Sequence, residues 1–511
     1  MLLFLQNFAR KLSFFSVKKN QKFFPLVINF LQKIFFSDLF FAIAVFFLIF
    51  PLAVKISGRD FWYDEAFSGL LVREDSRSFW VKIFYDVHPP LFYVLLKTWG
   101  KIFGFCAENL RGFSLLCHGI SIFLFLKIAK NFFDQISSRI LSLAFAVSPF
   151  FLGYGTEVRM YALFGTLIFA ATFFLLRGIN FCQQENRGNL VFTGDFFWFS
   201  FFLGLAFWTH YFAAIAAICF FIFLFLEFKE KIHKQPEKNF LTFVTIFFPA
   251  AVFFFLWFPI FILQYFDSPG IDWIPNISWY NFPEILTRFF FGINLGQLMV
   301  PQVPNFIFFP SPEIFFTFFI FLLGANWKKL KENQFLFGVL FGILPIFIGI
   351  LISKFWRPIF VERYFLPFGA FLFLFIFQLI KETFGKNIFR FFVGVQILIS
   401  ILFFSYGISI SKNFLALKKT IPFFQNSTLV FDNFNDFAVA RFYFTENNIQ
   451  FINSENPRKN VFSHFWDKNK NLEIKAEKLI FFFSEKQKND NFYQIGKIEK
   501  FEIYKLKNEQ E

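Results

Sequence analysis

The sequence predicts an all-α polytopic membrane protein of about eleven transmembrane helices, followed by a small C-terminal α/β domain. Three observations carry that reading. The 511 residues are 56% apolar, with a mean hydropathy of +0.54, well above that of soluble proteins. Apolar stretches close to the ~20 residues needed to cross a ~30 Å hydrocarbon core recur along the chain. From residue 411 the character changes: Lys, Asn, Glu and Asp rise, and apolar residues come in short runs.

Taken in order, residues 1–38 form a basic, semi-apolar segment (Arg10, Lys11, Lys18, Lys19, Lys22) expected along the cytoplasmic interface. Its first apolar stretch precedes the charges, the reverse of a cleavable signal peptide. Residues 39–410 hold the expected spans: 39–55, 109–129, 137–153, 158–176, 193–208, 211–228, 241–264, 312–326, 335–353, 364–381 and 390–410. The stretch 91–104 is too short and too interrupted to cross, and reads as an interfacial helix.

That assignment is chosen by charge. It places Lys127 and Lys130, Arg177 and Arg187, Lys229 to Lys238, Lys328 to Lys331, and Lys381, Lys386 and Arg390 on the cytoplasmic side, as the positive-inside bias expects. A crossing at 91–104 would turn every one of them outward. The same threading gathers Asp64, Glu65, Asp86, His88, Glu157, His210, Asp272 and Arg363 on the outer face of an inner (plasma) membrane. Residues 411–511 fall there too. In that tail Ser427–Phe431, Ile449–Ile452, Lys478–Ser484 and Phe501–Leu506 read as strands, and Asn435–Thr445 as a helix.

The net charge of +15 lies in short loops between apolar runs, which argues for a membrane partner and against nucleic acid. With 103 phenylalanines, aromatic motif matches are cheap, so weight rests on charged residues, His, Pro and Gly. The four cysteines show no metal-ligand spacing and read as small buried hydrophobes. The chain contains neither an internal repeat nor a Gly-rich phosphate loop.

The candidates for chemistry begin with Asp64 and Glu65, since carboxylates beside a membrane tend to mark sites. In a helix they diverge by about 100°, so one can face a cavity while the other pairs or caps. The alternative is an interfacial acidic pair beside Arg59 or Arg73. Asp86 precedes His88-Pro89-Pro90, where the prolines delay any helix and fix the direction of His88. That histidine suits acid/base work, phosphate or metal, or simply caps the next helix. Glu157 and Tyr161 are expected one turn apart on a common helix face, with Arg159 pointing elsewhere. His210 and Tyr211 occupy a tight connection between spans. Arg363 and Tyr364 open a span just after Lys354 and Arg357. Several cations on the outer face call for an anion, and a phosphate suits arginine, with lipid headgroups as the alternative. Together these features fit a lipid-linked phosphate substrate, its tail in the membrane and its reacting group at the carboxylates.

Six stretches in order then carry a resemblance: Trp62-Tyr63-Asp64-Glu65-Ala66, Asp86-Val87-His88-Pro89-Pro90-Leu91, Glu108-Asn109-Leu110-Arg111, Thr156 to Leu163, Thr209-His210-Tyr211-Phe212, and Glu362 to Pro367. Over about residues 55–370 the chain resembles the GT-C superfamily, specifically bacterial membrane glycosyltransferases related to protein O-mannosyltransferases and lipid A aminoarabinose transferase. The resemblance implies a GT-C fold, a polyprenyl-phosphate sugar as donor and an extracytoplasmic acceptor. It implies Asp64 as general base, or as the acid positioning acceptor and metal, with Glu65 its partner. Asp86 and His88 would line the same site, Arg363 would take the donor phosphate, and Arg159 would come second. Glu157, Tyr161, His210, Tyr211 and Tyr364 complete the expected substrate-binding set. Some such proteins bind a divalent metal; here its ligands would come from Asp64, Asp86, His88 or His210. After Leu91 the mannosyltransferases carry Gly-Lys, whereas this chain has Phe92-Tyr93. The resemblance stops before the tail.

Two further function classes are set beside the glycosyltransferase. A transporter or lipid flippase should carry charges near mid-span and internal symmetry, and neither is evident. A non-catalytic assembly factor would tolerate loss of Asp64 and Arg363.

Overall fold

The computed structural model describes residues 37–184, 190–234, 236–267, 274–278, 280–292 and 311–406. In the tail it describes Phe414, 428–431, 434–444, 448–451, 479–483, 492–498 and 501–506. The basic head, Arg187, Asp272 and most of 411–511 lie outside the described residues.

Helix α1 (Asp38–Ser57) starts at Ser37, whose hydroxyl accepts from the Phe40 amide, satisfying one of the free donors of the first turn. Three short helices follow: α2 (Tyr63–Arg73), α3 (Ser76–Phe84) and α4 (Leu91–Phe103). Asp75 caps α3 by accepting from the Arg77 and Ser78 amides. Pro89 and Pro90 lack the amide hydrogen, and α4 begins only at Leu91. With 13 residues it is about 20 Å long, short of a crossing.

Helix α5 (Ala107–Ala129) returns beside α1, and α6 (Gln135–Val147) with α7 (Pro149–Gly155) leads to α8 (Tyr161–Gln184). Then come α9 (Gly194–Phe207), α10 (Ala213–Lys234), α11 (Pro236–Asp267), α12 (Asn281–Phe291) and α13 (Pro312–Ala325). Helix α14 (Asn333–Gly338) runs through a π turn (Val339–Ile343) into α15 (Leu344–Phe355), and α16 (Leu366–Tyr406) closes the bundle. Helix α8 is the central one: 83% of its most apolar stretch is buried, against 28% for α1 and 17% for Asn239–Phe266. A helix that is apolar all round yet barely covered by protein is what a lipid-facing helix looks like. Phenylalanines fill the interior, as where Phe125 of α5 stacks on Phe145 of α6 with centroids 4.5 Å apart.

Among the described residues six helices are long and apolar enough to cross a membrane, or seven if the bent pair α6–α7 counts as one span. Gly194–Phe207 and Pro312–Ala325 are apolar but shorter. The chain is a multi-pass membrane protein. Two expected spans differ in form. The stretch 137–153 bends by 60° between α6 and α7, because Pro149 cannot donate into the α6 ladder. The span expected over 158–176 begins at Tyr161. The Val158 amide turns to a Glu65 carboxylate oxygen (3.2 Å) and the Arg159 amide to the Glu157 carbonyl (2.7 Å), so neither enters a helix. Glu157 and Tyr161 therefore do not share a helix face. The spans expected over 364–381 and 390–410 are the two helical segments of α16, on either side of a break at Gly385 (φ 84°, ψ 172°), a conformation that needs a glycine.

Charged side chains fix the two ends of the bundle. At one end Asp38 holds Lys127 and Lys130, both at 2.7 Å, and Asp134 holds Lys386 at 3.2 Å. At the other, where α1 ends and α5 begins, Arg111 donates to the Ser57 carbonyl at 2.6 Å. The two ends are one 20-residue helix apart, about 30 Å.

In the tail, β1 (Thr428–Phe431), β2 (Asn448–Phe451), β3 (Leu479–Phe483), β4 (Phe492–Ile498) and β5 (Phe501–Leu506) form a sheet in the order β2-β1-β3-β5-β4. β1 is parallel to β2 and β3, with α17 (Phe434–Tyr443) as the crossover from β1 to β2; β5 is antiparallel to β3 and β4. Four strands and the helix lie where the sequence pattern puts them, to within two residues at each end. β4, with its polar Gln494 and a register shift between Gln494 and Gly496, has no alternation to read.

Candidate active site

The site is built around the first turn of α2. Trp62 precedes it with extended backbone (ψ 173°), so the chain turns sharply into the helix and Asp64 and Glu65 sit at its N-terminal end. Carboxylates are favoured there by the helix dipole. The 100° step between them then separates their fates.

Asp64 keeps 20% of its side chain exposed and faces two arginines. Its Oδ2 lies 3.6 Å from Arg363 Nη2 and 4.0 Å from Arg159 Nε. Arg363, in the short 3-10 turn Glu362–Phe365 ahead of α16, donates through Nε to the Tyr161 hydroxyl (2.9 Å). Its guanidinium is flanked by the rings of Trp62 (5.3 Å), Tyr364 (5.8 Å) and Tyr161 (5.9 Å). Arg159 donates through Nη1 to Tyr93 and to Ser68, both at 3.3 Å, and its Nη2 lies 3.5 Å from His88 Nε2. Burial works against the Arg159 charge, but Tyr93, Asp64 and the other acids around it raise its pKa further.

His88 links Arg159 to Asp86, whose Oδ2 is 3.5 Å from His88 Nδ1. Burial opposes the Asp86 charge, yet His88 and Arg159 outweigh it and hold the carboxyl below its usual range. The opposite holds for the imidazoles. Burial and the Arg159 charge push His88 down against the pull of Asp86, and burial with His88, Arg159 and Arg363 pushes His210 well down. His210 sits on the ring of Phe164 (5.1 Å) beside Tyr364 (4.9 Å), and its Nδ1 accepts from the Phe212 amide. Its Nε2 then carries the proton when the ring is neutral.

Glu65 is fully enclosed. One oxygen accepts from Arg111 Nε (2.9 Å) and the Val158 amide (3.2 Å), the other from Arg111 Nη2 (2.7 Å) and Arg59 Nη1 (3.1 Å). Burial opposes its charge, but the two guanidinium groups more than offset this and hold its pKa low. Glu157 lies next to this knot with neither oxygen hydrogen-bonded among the described residues. Burial first, then the Glu65 charge, push its carboxyl up to about 8.

The comparisons with known proteins bear on this arrangement. Residues 87–257 match the model of a family described as dolichyl-phosphate-mannose-protein mannosyltransferase. No curated protein sequence matches the chain. Among solved structures, apo ArnT from Cupriavidus metallidurans superposes with a TM-score of 0.53 at 10% identity, covering 91% of this chain and 97% of that one. The same protein bound to undecaprenyl phosphate gives 0.49 at 11% identity over the same shares. An oligosaccharyltransferase from Archaeoglobus fulgidus tethered to an acceptor peptide gives 0.47 at 13% identity, covering 82% of this chain and 64% of that one. The chain has the GT-C superfamily fold.

Within this GT-C fold the structure brings Asp64, Asp86, His88, Arg159, Tyr161, His210, Arg363 and Tyr364 into one cluster, with Glu65 and Glu157 packed behind it. Tyr211 is not part of it. Its hydroxyl hydrogen-bonds to Gln264 and accepts from Trp257 Nε1 (3.1 Å), pointing into α11. Among the described residues no three His, Cys, Asp or Glu side chains gather as metal ligands. Two of the groups named for such a role face cations instead, Asp64 with Arg363 and Arg159 and His88 with Arg159. Those side chains do not fit a divalent metal as they stand.

Several members of the site had no assigned role in the sequence. Arg111 was legible as an arginine in an apolar helix, expensive unless paired. Tyr93, Ser68 and Trp62 carry no such signal. Glu362 accepts from Tyr154 (3.3 Å) and pairs with Arg288 of α12 (3.2 Å), tying the turn that bears Arg363 to two helices.

Proposed function

We propose that the chain is a membrane glycosyltransferase that moves a sugar from a polyprenyl-phosphate donor to a hydroxyl-bearing acceptor in the cell envelope, a lipid, glycan or protein. The observation that carries this reading is Asp64: a partly exposed carboxylate set between Arg159 and Arg363 at the rim of a deep apolar body. The matched family, whose description names a dolichyl-phosphate sugar, supports a donor of that class.

In this reading the acceptor oxygen attacks the anomeric carbon while Asp64 takes its proton, a role typically worth about 10²–10⁴-fold. The bond from the anomeric carbon to the phosphate oxygen breaks, its electron pair leaving on the phosphate, and attack from the opposite side inverts the centre. Arg363, backed by Arg159, stabilises the growing phosphate charge. Tyr161 and the aromatic rings around Arg363 fix its fork. His88 and Asp86 hold Arg159, and neutral His210 beside Tyr364 offers an N–H to the sugar. Glu65 and Arg111 act behind Asp64 as scaffold. The end of the bundle that carries the site is opposite the Asp38–Lys127–Lys130 end, which supports an extracytoplasmic site under the positive-inside bias. The proposed location is the inner (plasma) membrane.

Purified protein in liposomes, offered a panel of radiolabelled polyprenyl-phosphate sugars with envelope acceptors, should consume one of them. Asp64→Asn should bind that donor and fail to turn it over. Normal turnover by this variant would remove Asp64 from the mechanism.

A further inference from the structure

We propose that helix α17 of the tail is a positioning clamp on α2, setting where Asp64 stands; this rests on the glycosyltransferase reading only for the role of Asp64. Residues Phe61, Glu65, Gly69 and Arg73 recur every four positions and so form one stripe along α2 and the residue before it. α17 meets this stripe at three of those four levels. At the start, the Tyr443 hydroxyl accepts from the Phe61 amide (2.9 Å), and the Phe442 ring packs on Phe61 with centroids 4.4 Å apart. In the middle, Phe442 fills the notch at Gly69, where an added Cβ would come within 2.5 Å of the ring. At the end, Arg73 lies over the Phe442 ring (4.0 Å) and donates to the Phe442 carbonyl (2.7 Å).

The fourth level, Glu65, joins the same stack through Arg111, whose guanidinium covers the other partner of Phe442, Phe61 (4.7 Å). Ahead of α17, the Phe414 amide donates to Asp60 (2.9 Å), just upstream of the stripe. Asp64 and Ser68 lie on the neighbouring stripe, which faces Arg159. The tail thus grips one side of a helix whose other side carries the chemistry. A soluble element that only tethered the tail would not need a glycine notch, a ring and two hydrogen bonds spread along the whole helix. Phe442 and Tyr443 are positioning residues in this assignment: they reach Asp64 through α2.

The test is a double-substitution cycle on the full chain in liposomes, with hydrogen exchange of 61–73 as a second readout. Phe442→Ala should speed exchange in that segment and lower kcat by about 10–100-fold per bound donor, the scale of a misplacement near 1 Å. Donor KM should stay within about threefold, because Arg159 and Arg363 are not on the gripped stripe. Gly69→Ala should lower kcat similarly, and in Gly69→Ala/Phe442→Ala the added methyl should cost little more, since the ring it strikes hardest is gone and only the Phe61 ring, 3.2 Å from the new Cβ, has to give way. Phe442→Tyr, which keeps the ring, should restore wild-type exchange and kcat. Unchanged exchange of 61–73 in Phe442→Ala, or losses in kcat that multiply in the double variant, overturn the clamp. A wild type protected at 61–73 through Phe442 that turns over none of the donors leaves the clamp on α2 standing and overturns the proposed reaction instead.

Discussion

Asp64 and Glu65 are neighbours on one helix turn, and the two sides of that turn belong to different parts of the protein. Asp64 retains 20% of its side-chain exposure and has arginines at 3.6 and 4.0 Å, neither within hydrogen-bond distance. Glu65 has no exposure and accepts four hydrogen bonds, three from guanidinium groups. A carboxylate saturated by fixed donors is a strut. One flanked by cations it does not fully engage has room for a substrate and a proton to receive. The lesson is that two like residues side by side in sequence need not share a job when a helix turns about 100° between them.

The comparison breaks most visibly on the scaffold side. Arg111 binds both oxygens of Glu65 and also the carbonyls of Ser57, Arg59 and Asp60. Arg111→Leu leaves the buried Glu65 carboxylate with Arg59 as its one guanidinium partner beside the Val158 amide, and the expected loss is about 3–5 kcal/mol of stability, read by thermal unfolding in detergent. On the site side, Arg363→Ala should cost turnover and not folding, with kcat lower by about 10²–10³-fold if it stabilises the leaving phosphate. An equal fall in stability for both variants would erase the distinction between the two sides.

How far the sequence foretells this depends on the kind of signal. The helical membrane class and most helix positions follow from apolar length. The cluster of Asp64, Asp86, His88, Arg159 and Arg363 follows from charged residues that a membrane edge tolerates only with a reason. The pairing partners do not follow, because they come from distance in the fold: Glu65 meets Arg111, 46 residues on, and Asp64 meets Arg363. The turn Glu157–Met160 is hidden for the same reason, since an apolar pattern continues through it while Glu65 draws the Val158 amide out of helical pairing. Gly69 carries no signal in the sequence, because the Phe442 ring that fills its notch comes from the tail.

Glu157 sharpens the comparison through pH. Its carboxyl titrates near 8 in the folded protein against an ordinary 4.5, so between those values the folded state holds more protons than the unfolded one. Stability attributable to this group therefore falls as pH rises from about 4.5 to about 8, and levels off above. Glu157→Gln should flatten that slope, which unfolding midpoints measured across pH 5–9 would register. An unchanged slope would mean Glu157 is ionised beside Glu65. The smallest effect belongs to Tyr211→Phe: with its hydroxyl turned into α11, turnover should change by less than about threefold, a loss well under ~1 kcal/mol of barrier. A large loss would bring Tyr211 back into the site.

The most direct measurement sets Asp64→Asn beside Glu65→Gln, comparing turnover per molecule of bound donor with the unfolding midpoint of each. Asp64→Asn is expected to keep its midpoint and to lose about 10²–10⁴-fold in turnover. Glu65→Gln is expected to unfold earlier while its folded fraction keeps the larger share of activity. Wild-type turnover by Asp64→Asn, or the reverse ranking of the two, would take the chemistry away from Asp64.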